Sequence, residues 1–173
     1  YNQAIELFNI SLENGSNKTI KARTLYWKAE ALYLVGDYNN AISSYSQLLK
    51  ISGIGNIEEI ENTEYNLAYT YFKLVDYESA AVHFRNFIQK SENKRTAKIA
   101  DAFNRLGDYY FLNTNYNLAL ENYEQAYGMK IYEADYALFQ IAFCHGLQRK
   151  QEEKIEDLVQ LLADFPDSDY QDD

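Results

Sequence analysis

The sequence predicts an all-α chain, built as a solenoid of stacked helix hairpins. Three observations carry that reading. The first is a four-residue pattern in which an aromatic is followed three positions later by Ala, then by an aliphatic residue or Ala, and finally by a second aromatic. It occurs at Tyr1-Ala4-Ile5-Phe8, Tyr38-Ala41-Ile42-Tyr45, Tyr77-Ala80-Ala81-Phe84 and Tyr116-Ala119-Leu120-Tyr123, and fades at Gln151-Lys154-Ile155-Leu158. Recurrence at intervals of about 35 to 39 residues marks units that cannot bury an apolar face alone and must stack on their neighbours. The second observation is that apolar residues inside each unit fall three and four apart, which places them on one face of a helix. The third is that small residues hold matching columns: Ala29, Ala68, Gly107 and Ala142 in one, and Ala4, Ala41, Ala80 and Ala119 in the other. Small side chains let helix axes approach to the low end of the roughly 8–10 Å packing range.

Taken in order, residues 1–15 read as the second helix of a repeat whose first helix is missing, and hairpins follow over 18–52, 57–90 and 96–129, with a divergent one over 131–166. All lie within a single domain, 1–173. The first helices carry Ala22, Leu25, Ala29 and Leu32; Leu67, Ala68 and Tyr71; Ala100, Phe103, Leu106, Gly107 and Tyr110; and Leu138, Ile141, Ala142 and His145. Asp37, Asp76 and Asn115 stand just before the second helices, where a short side-chain oxygen can accept from an orphaned N–H of the first turn. Polar or Gly-containing stretches at Ser52-Gly53-Ile54-Gly55-Asn56 and around Ser91 to Thr96 are expected to be the linkers between hairpins. Both ends look cut. The chain is therefore expected to be a piece of a longer array, with Ile5, Phe8 and Leu12 on a helix lacking its partner and a homodimer through such exposed ends as one outcome.

Composition limits the function. The chain has 173 residues, of which 47% are apolar, 16% aromatic and 24% charged, enough for an ordered domain. A net charge of −10 opposes binding to nucleic acid, which draws on clustered Lys and Arg. No stretch reaches the roughly 18 apolar residues a membrane-spanning helix needs, so insertion of this chain into a membrane is not expected. The one cysteine, Cys144, cannot form an internal disulfide, and the two histidines, His83 and His145, lie in different repeats without a metal-ligand spacing. Gly53-Ile54-Gly55 lacks the Lys-Ser/Thr of a phosphate loop, and Asn9-Ile10-Ser11, Asn14-Gly15-Ser16 and Asn17-Lys18-Thr19 are matches that an asparagine-rich chain yields by chance. No nucleophile, base and orienting group converge. The expectation is a non-enzymatic protein without catalytic residues, metal or cofactor.

Leu25, Ala29, Leu32, Gly36-Asp37-Tyr38, Ala41, Tyr45 and Leu48, with the equivalent sets around Tyr77 and Tyr116, resemble the tetratricopeptide repeat (TPR) family. The resemblance implies a right-handed superhelical α–α solenoid and a scaffold for protein–protein interaction. The closing stretch Leu161-Leu162-Ala163-Asp164-Phe165-Pro166-Asp167-Ser168 is similar to TPR proteins of bacterial cell envelopes, including scaffold lipoproteins of outer-membrane assembly, and implies a periplasmic or envelope location, with the cytoplasm as the alternative.

In the resembled fold the first helices line a concave groove. Carried over column by column, the inward positions are Arg23, Tyr26, Glu30 and Tyr33; Asn62, Tyr65, Tyr69 and Phe72; Asp101, Asn104, Asp108 and Phe111; and Tyr136, Phe139 and Phe143. Two readings stay open. The rings form a groove for a peptide or protein segment, or they pack against each other and the repeats are an architectural or oligomerisation module that spaces other domains. The carboxylate clamp known in the family does not carry over, because Tyr26, Glu30 and Asp101 stand where two lysines and an asparagine would be, although Asn66 and Arg105 match. Glu30, Asp101 and Asp108 instead point to a partner with basic residues beside apolar anchors.

Overall fold

The computed structural model describes residues 1–15, 17–54, 57 and 60–170. Ser16, Gly55 and Asn56, which belong to a glycosylation match and to the expected first linker, lie outside the described residues. Among those described, all regular structure is helical, and the chain divides into two compact units, Tyr1–Asn86 and Phe87–Asp173. The first unit contains α1 (Asn2–Glu13), α2 (Lys18–Leu34), α3 (Tyr38–Leu49), α4 (Thr63–Lys73) and the larger part of α5 (Tyr77–Lys90). The second contains α6 (Ala97–Leu112), α7 (Tyr116–Met129), α8 (Ala134–Leu147) and α9 (Gln151–Asp164). Consecutive helices pack as hairpins, α2 on α3, α6 on α7 and α8 on α9.

The expected helix starts are in place. Asp37 Oδ1 accepts from the Asn40 amide, Asp76 Oδ1 from Ser79 and Asn115 Oδ1 from Leu118. Asn17 and Thr96 cap α2 and α6 in the same way. A matching device closes the first helix of each hairpin. The amides of Asp37, Asp76, Asn115 and Lys150 reach back to the carbonyls of Leu32, Tyr71, Tyr110 and His145 at 2.9–3.1 Å. Each follows a residue in the left-handed region: Gly36 (φ 82°), Val75 (φ 62°), Thr114 (φ 57°) and Arg149 (φ 63°). This is the Schellman ending, in which the left-handed residue turns the chain and the two amides beyond the helix satisfy its last carbonyls. Glycine adopts that backbone freely, whereas the β-branched Val75 and Thr114 meet their own Cβ against it.

The small-residue columns lie at the helix–helix contacts, with Ala29, Ala41, Ala68, Ala80, Ala119 and Ala142 all buried. In the first unit Ala29 and Ala41 join Ala22, Leu25, Leu32, Tyr45, Leu48 and Leu67. In the second, Tyr123 lies across Gly107 so closely that a Cβ there would stand 2.4 Å from its Cε1.

One expectation is corrected at the start of the chain. Ile5, Phe8 and Leu12 are half-buried and not fully exposed: α1 packs against α2, and Ile5 and Leu12 lie on the core of the first unit. Their i, i+3, i+7 spacing gathers them on one helix face, and α2 offers the apolar surface that covers it. The exposed apolar residues of this helix are Leu7 and Ile10, and Ala4 is only half-buried.

Two substitutions probe this geometry with opposite signs. Gly107→Ala, which ordinarily stabilises a helix interior, is expected to destabilise by about 1–3 kcal/mol because the added methyl displaces a buried ring. Val75→Gly is expected to stabilise by up to about 1 kcal/mol by relieving a left-handed β-branched residue whose side chain is largely exposed. Urea unfolding followed by circular dichroism checks both.

Candidate protein-interaction site

In the first unit, α2 brings Tyr26, Glu30 and Tyr33 to one face, and α4 brings Asn62, Tyr65, Tyr69 and Phe72. Tyr26 is buried and the others are half-buried. The rings are fixed by each other and by rings of the second helices. Tyr69 stands edge-on to Phe84 at 5.3 Å and to Tyr65 at 5.0 Å, Phe72 meets Tyr77 at 5.0 Å, and Tyr33 meets Tyr38 at 5.5 Å. Edge-to-face contact suits the ring quadrupole and fixes the rings against one another.

Between these rings lies a cavity of about 170 Å³ lined by Glu30, Tyr33, Tyr45, Asn66 and Tyr69. Glu30 is the polar centre. Its Oε1 accepts from the Tyr45 hydroxyl and, at 2.6 Å, from Asn66 Nδ2, which also donates to the Tyr26 hydroxyl at 3.1 Å. Burial, and then the Glu30 carboxylate, push the Tyr45 phenol far above its usual range, so the hydroxyl is a fixed donor. Burial likewise raises Tyr33, with Tyr38 and Glu30 adding to it.

The second unit uses the same columns differently. The i, i+4 and i, i+3 spacings on α6 place Arg105 between Asp101 and Asp108. Its Nη1 lies 2.6 Å from Asp108 Oδ2, its Nη2 3.1 Å from Glu133 Oε2 and its Nε 3.4 Å from Asp101 Oδ1. Asp108 Oδ1 accepts from the Tyr123 hydroxyl at 2.8 Å and the Tyr136 hydroxyl at 2.5 Å, and the guanidinium lies over the Tyr136 ring at 5.5 Å. Asp101 and Asn104 are buried, with Asn104 Nδ2 donating to the Glu133 carbonyl. The two aspartates expected to select a basic partner are thus already matched by the chain's own cation. Tyr170, which the sequence reading did not single out, stacks on Phe139 at 5.0 Å and lies 5.8 Å from Tyr136, so the chain itself covers that part of the face. Phe111 is half-buried and Phe143 exposed.

The remaining reactive groups have structural partners. His83 Nδ1 lies 2.7 Å from Glu64 and its ring stacks on Tyr71, and His145 Nδ1 lies 2.7 Å from Asp157. Cys144 is fully buried and burial pushes its thiol up to about 11, which leaves it a small hydrophobe and a poor nucleophile.

The Arg105 network yields a test. Asp108→Ala strips one carboxylate from a guanidinium and two tyrosine hydroxyls at once and is expected to destabilise by about 2–4 kcal/mol. Asp108→Asn, which keeps an acceptor for the hydroxyls, is expected to fall between it and the parent in urea unfolding.

Comparison with known proteins agrees with the hairpins. Family models described as tetratricopeptide repeat match residues 22–53, 100–130 and 136–168, together more than half of the chain. The hairpin of α4 and α5 repeats the same columns and the same turn. No curated protein matches the sequence. Among solved structures, the chain is similar to MamA (19% identity, 92% of this chain and 85% of that one, TM-score 0.72). It is also similar to YrrB, titled a TPR protein with an unusual peptide-binding site (16% identity, 98% and 80%, TM-score 0.74). A third is MamA from Desulfovibrio magneticus RS-1 (17% identity, 96% and 97%, TM-score 0.65). At such identities the likeness is one of fold. With the recurrent columns, the capped turns and the matched models in agreement, the chain belongs to the tetratricopeptide repeat family.

Proposed function

We propose that the chain is a non-enzymatic protein-interaction scaffold that holds a segment of another protein on the first-helix face of its first unit. Tyr26, Glu30, Tyr33, Asn62, Tyr65, Tyr69 and Phe72 form this face. The observation that carries the reading is the combination of half-buried rings, held in edge-to-face contact with one another, and a cavity lined by two of them. Rings of this kind present large, stiff contact area at little entropic cost and are the residues on which binding energy concentrates at protein interfaces. A fold shared with YrrB, a TPR protein with an unusual peptide-binding site, supports the same reading.

In the second unit Phe111 and Phe143 are the corresponding anchors. There Tyr170 covers Phe139 and borders Tyr136, and Arg105 takes up Asp101 and Asp108, which favours an architectural role for that part of the face.

Photocrosslinking in the cell of origin tests the proposal. A benzophenone side chain placed at Tyr33 or Phe72 is expected to capture a discrete protein partner, whereas one at Val82, exposed on a second helix, is not. Capture from Val82 with none from Tyr33 and Phe72 would move the binding surface off this face.

A further inference from the structure

The two units place a carboxylate at the same point of the hairpin. Glu30 and Asp108 each stand on a first helix, directly after the small residue of its column (Ala29 and Gly107), and each accepts from the tyrosine hydroxyl of the paired second helix (Tyr45 and Tyr123). Around Asp108 the remaining oxygen holds a guanidinium: Arg105 Nη1 at 2.6 Å, with the cation lying over a tyrosine ring. Around Glu30 that component is missing. Trp27 occupies the position of Arg105, both hydrogen bonds fall on Oε1, and no Lys or Arg among the described residues pairs with the carboxylate. Beside it lies a cavity walled by Tyr33, Tyr45 and Tyr69.

From this we infer that the Glu30 cavity is a subsite for a cationic side chain of the bound segment, an arginine guanidinium or a lysine ammonium. Oε2 of Glu30 supplies the counter-charge, and the Tyr33 and Tyr69 rings supply faces that attract a cation. Tyr45 and Asn66 both donate to Oε1, which orients the carboxylate before any ligand arrives and lowers the entropic penalty of binding. The volume, about 170 Å³, suits the head of one side chain and is below that of sites for whole drug-sized ligands. The inference rests on the protein-binding reading and narrows it. The basic selectivity that the sequence spread over three carboxylates resides in Glu30, since Asp101 and Asp108 are satisfied internally.

The test is an NMR titration of the whole chain with Nα-acetyl-arginine methylamide, read at the Asn66 side-chain amide. Saturable shifts are expected there, and Nα-acetyl-citrulline methylamide, of nearly the same shape without the charge, should leave the resonance in place. Glu30→Gln keeps an acceptor for Tyr45 and Asn66 and should weaken arginine binding by about tenfold or more, the usual worth of a charged hydrogen bond. Absence of a saturable shift in the parent protein, an equal response to citrulline, or unchanged binding by Glu30→Gln would each overturn the inference, and the parent titration does so even if the variant folds poorly. Crosslinking from Tyr33 or Phe72 reports separately on the protein-binding face. A partner captured there alongside a silent titration would remove the cation subsite alone.

Discussion

Each unit depends on one contact, the tyrosine of a second helix lying across the small residue of the first and reaching the carboxylate one position beyond. The small residue makes the space, the ring fills it, and the hydroxyl at the ring's far end must find an acceptor because it is out of water. Tyr123 over Gly107, bonded to Asp108, shows all three parts. In the first unit Tyr45 bonds Glu30 in the same way, and Tyr45 and Ala29 belong to one buried core. Packing and polar chemistry are therefore coupled: the residue that sets the helix approach also decides where a buried-edge carboxylate stands.

That coupling explains how two copies of one design differ in what they offer. In the second unit Arg105, Tyr136 and Tyr123 share Asp108, Glu133 and Asp101 complete the network, and Tyr170 lies over the neighbouring Phe139. In the first unit the carboxylate keeps its aromatic surroundings and its tyrosine donor, but no cation among the described residues pairs with it. On a chain of net charge −10, a carboxylate can be selective only where it is positioned and partly shielded, since a freely solvated acidic face attracts any cation weakly and loses even that to salt.

Much of this was legible in the sequence. The recurring four-residue pattern, the small-residue columns and the caps at Asp37, Asp76 and Asn115 follow from helix periodicity and from the needs of orphaned amides, which are local properties. The left-handed turn was visible only at Gly36. Val75, Thr114 and Arg149 adopt it because the Schellman hydrogen bonds demand it, against their own preference. The face of α1 was misjudged because sequence order does not say that α2 covers Ile5 and Leu12. Which carboxylates are open to a ligand was also hidden. Asp101, Arg105 and Asp108 do have ion-pair spacing on one helix, but Glu133 and Tyr136 join them from afar in the chain, and only the fold brings such residues together.

In the proposed function the first unit binds a protein segment through rings and through Glu30, a carboxylate with no cationic partner among the described residues. Selection of a random peptide display library against the whole chain tests it most directly. The account predicts enriched sequences that carry an arginine or lysine flanked by apolar residues, and loss of that enrichment with Glu30→Gln. Enrichment of acidic or purely apolar sequences, or the same basic consensus with Glu30→Gln as with the parent, would contradict it.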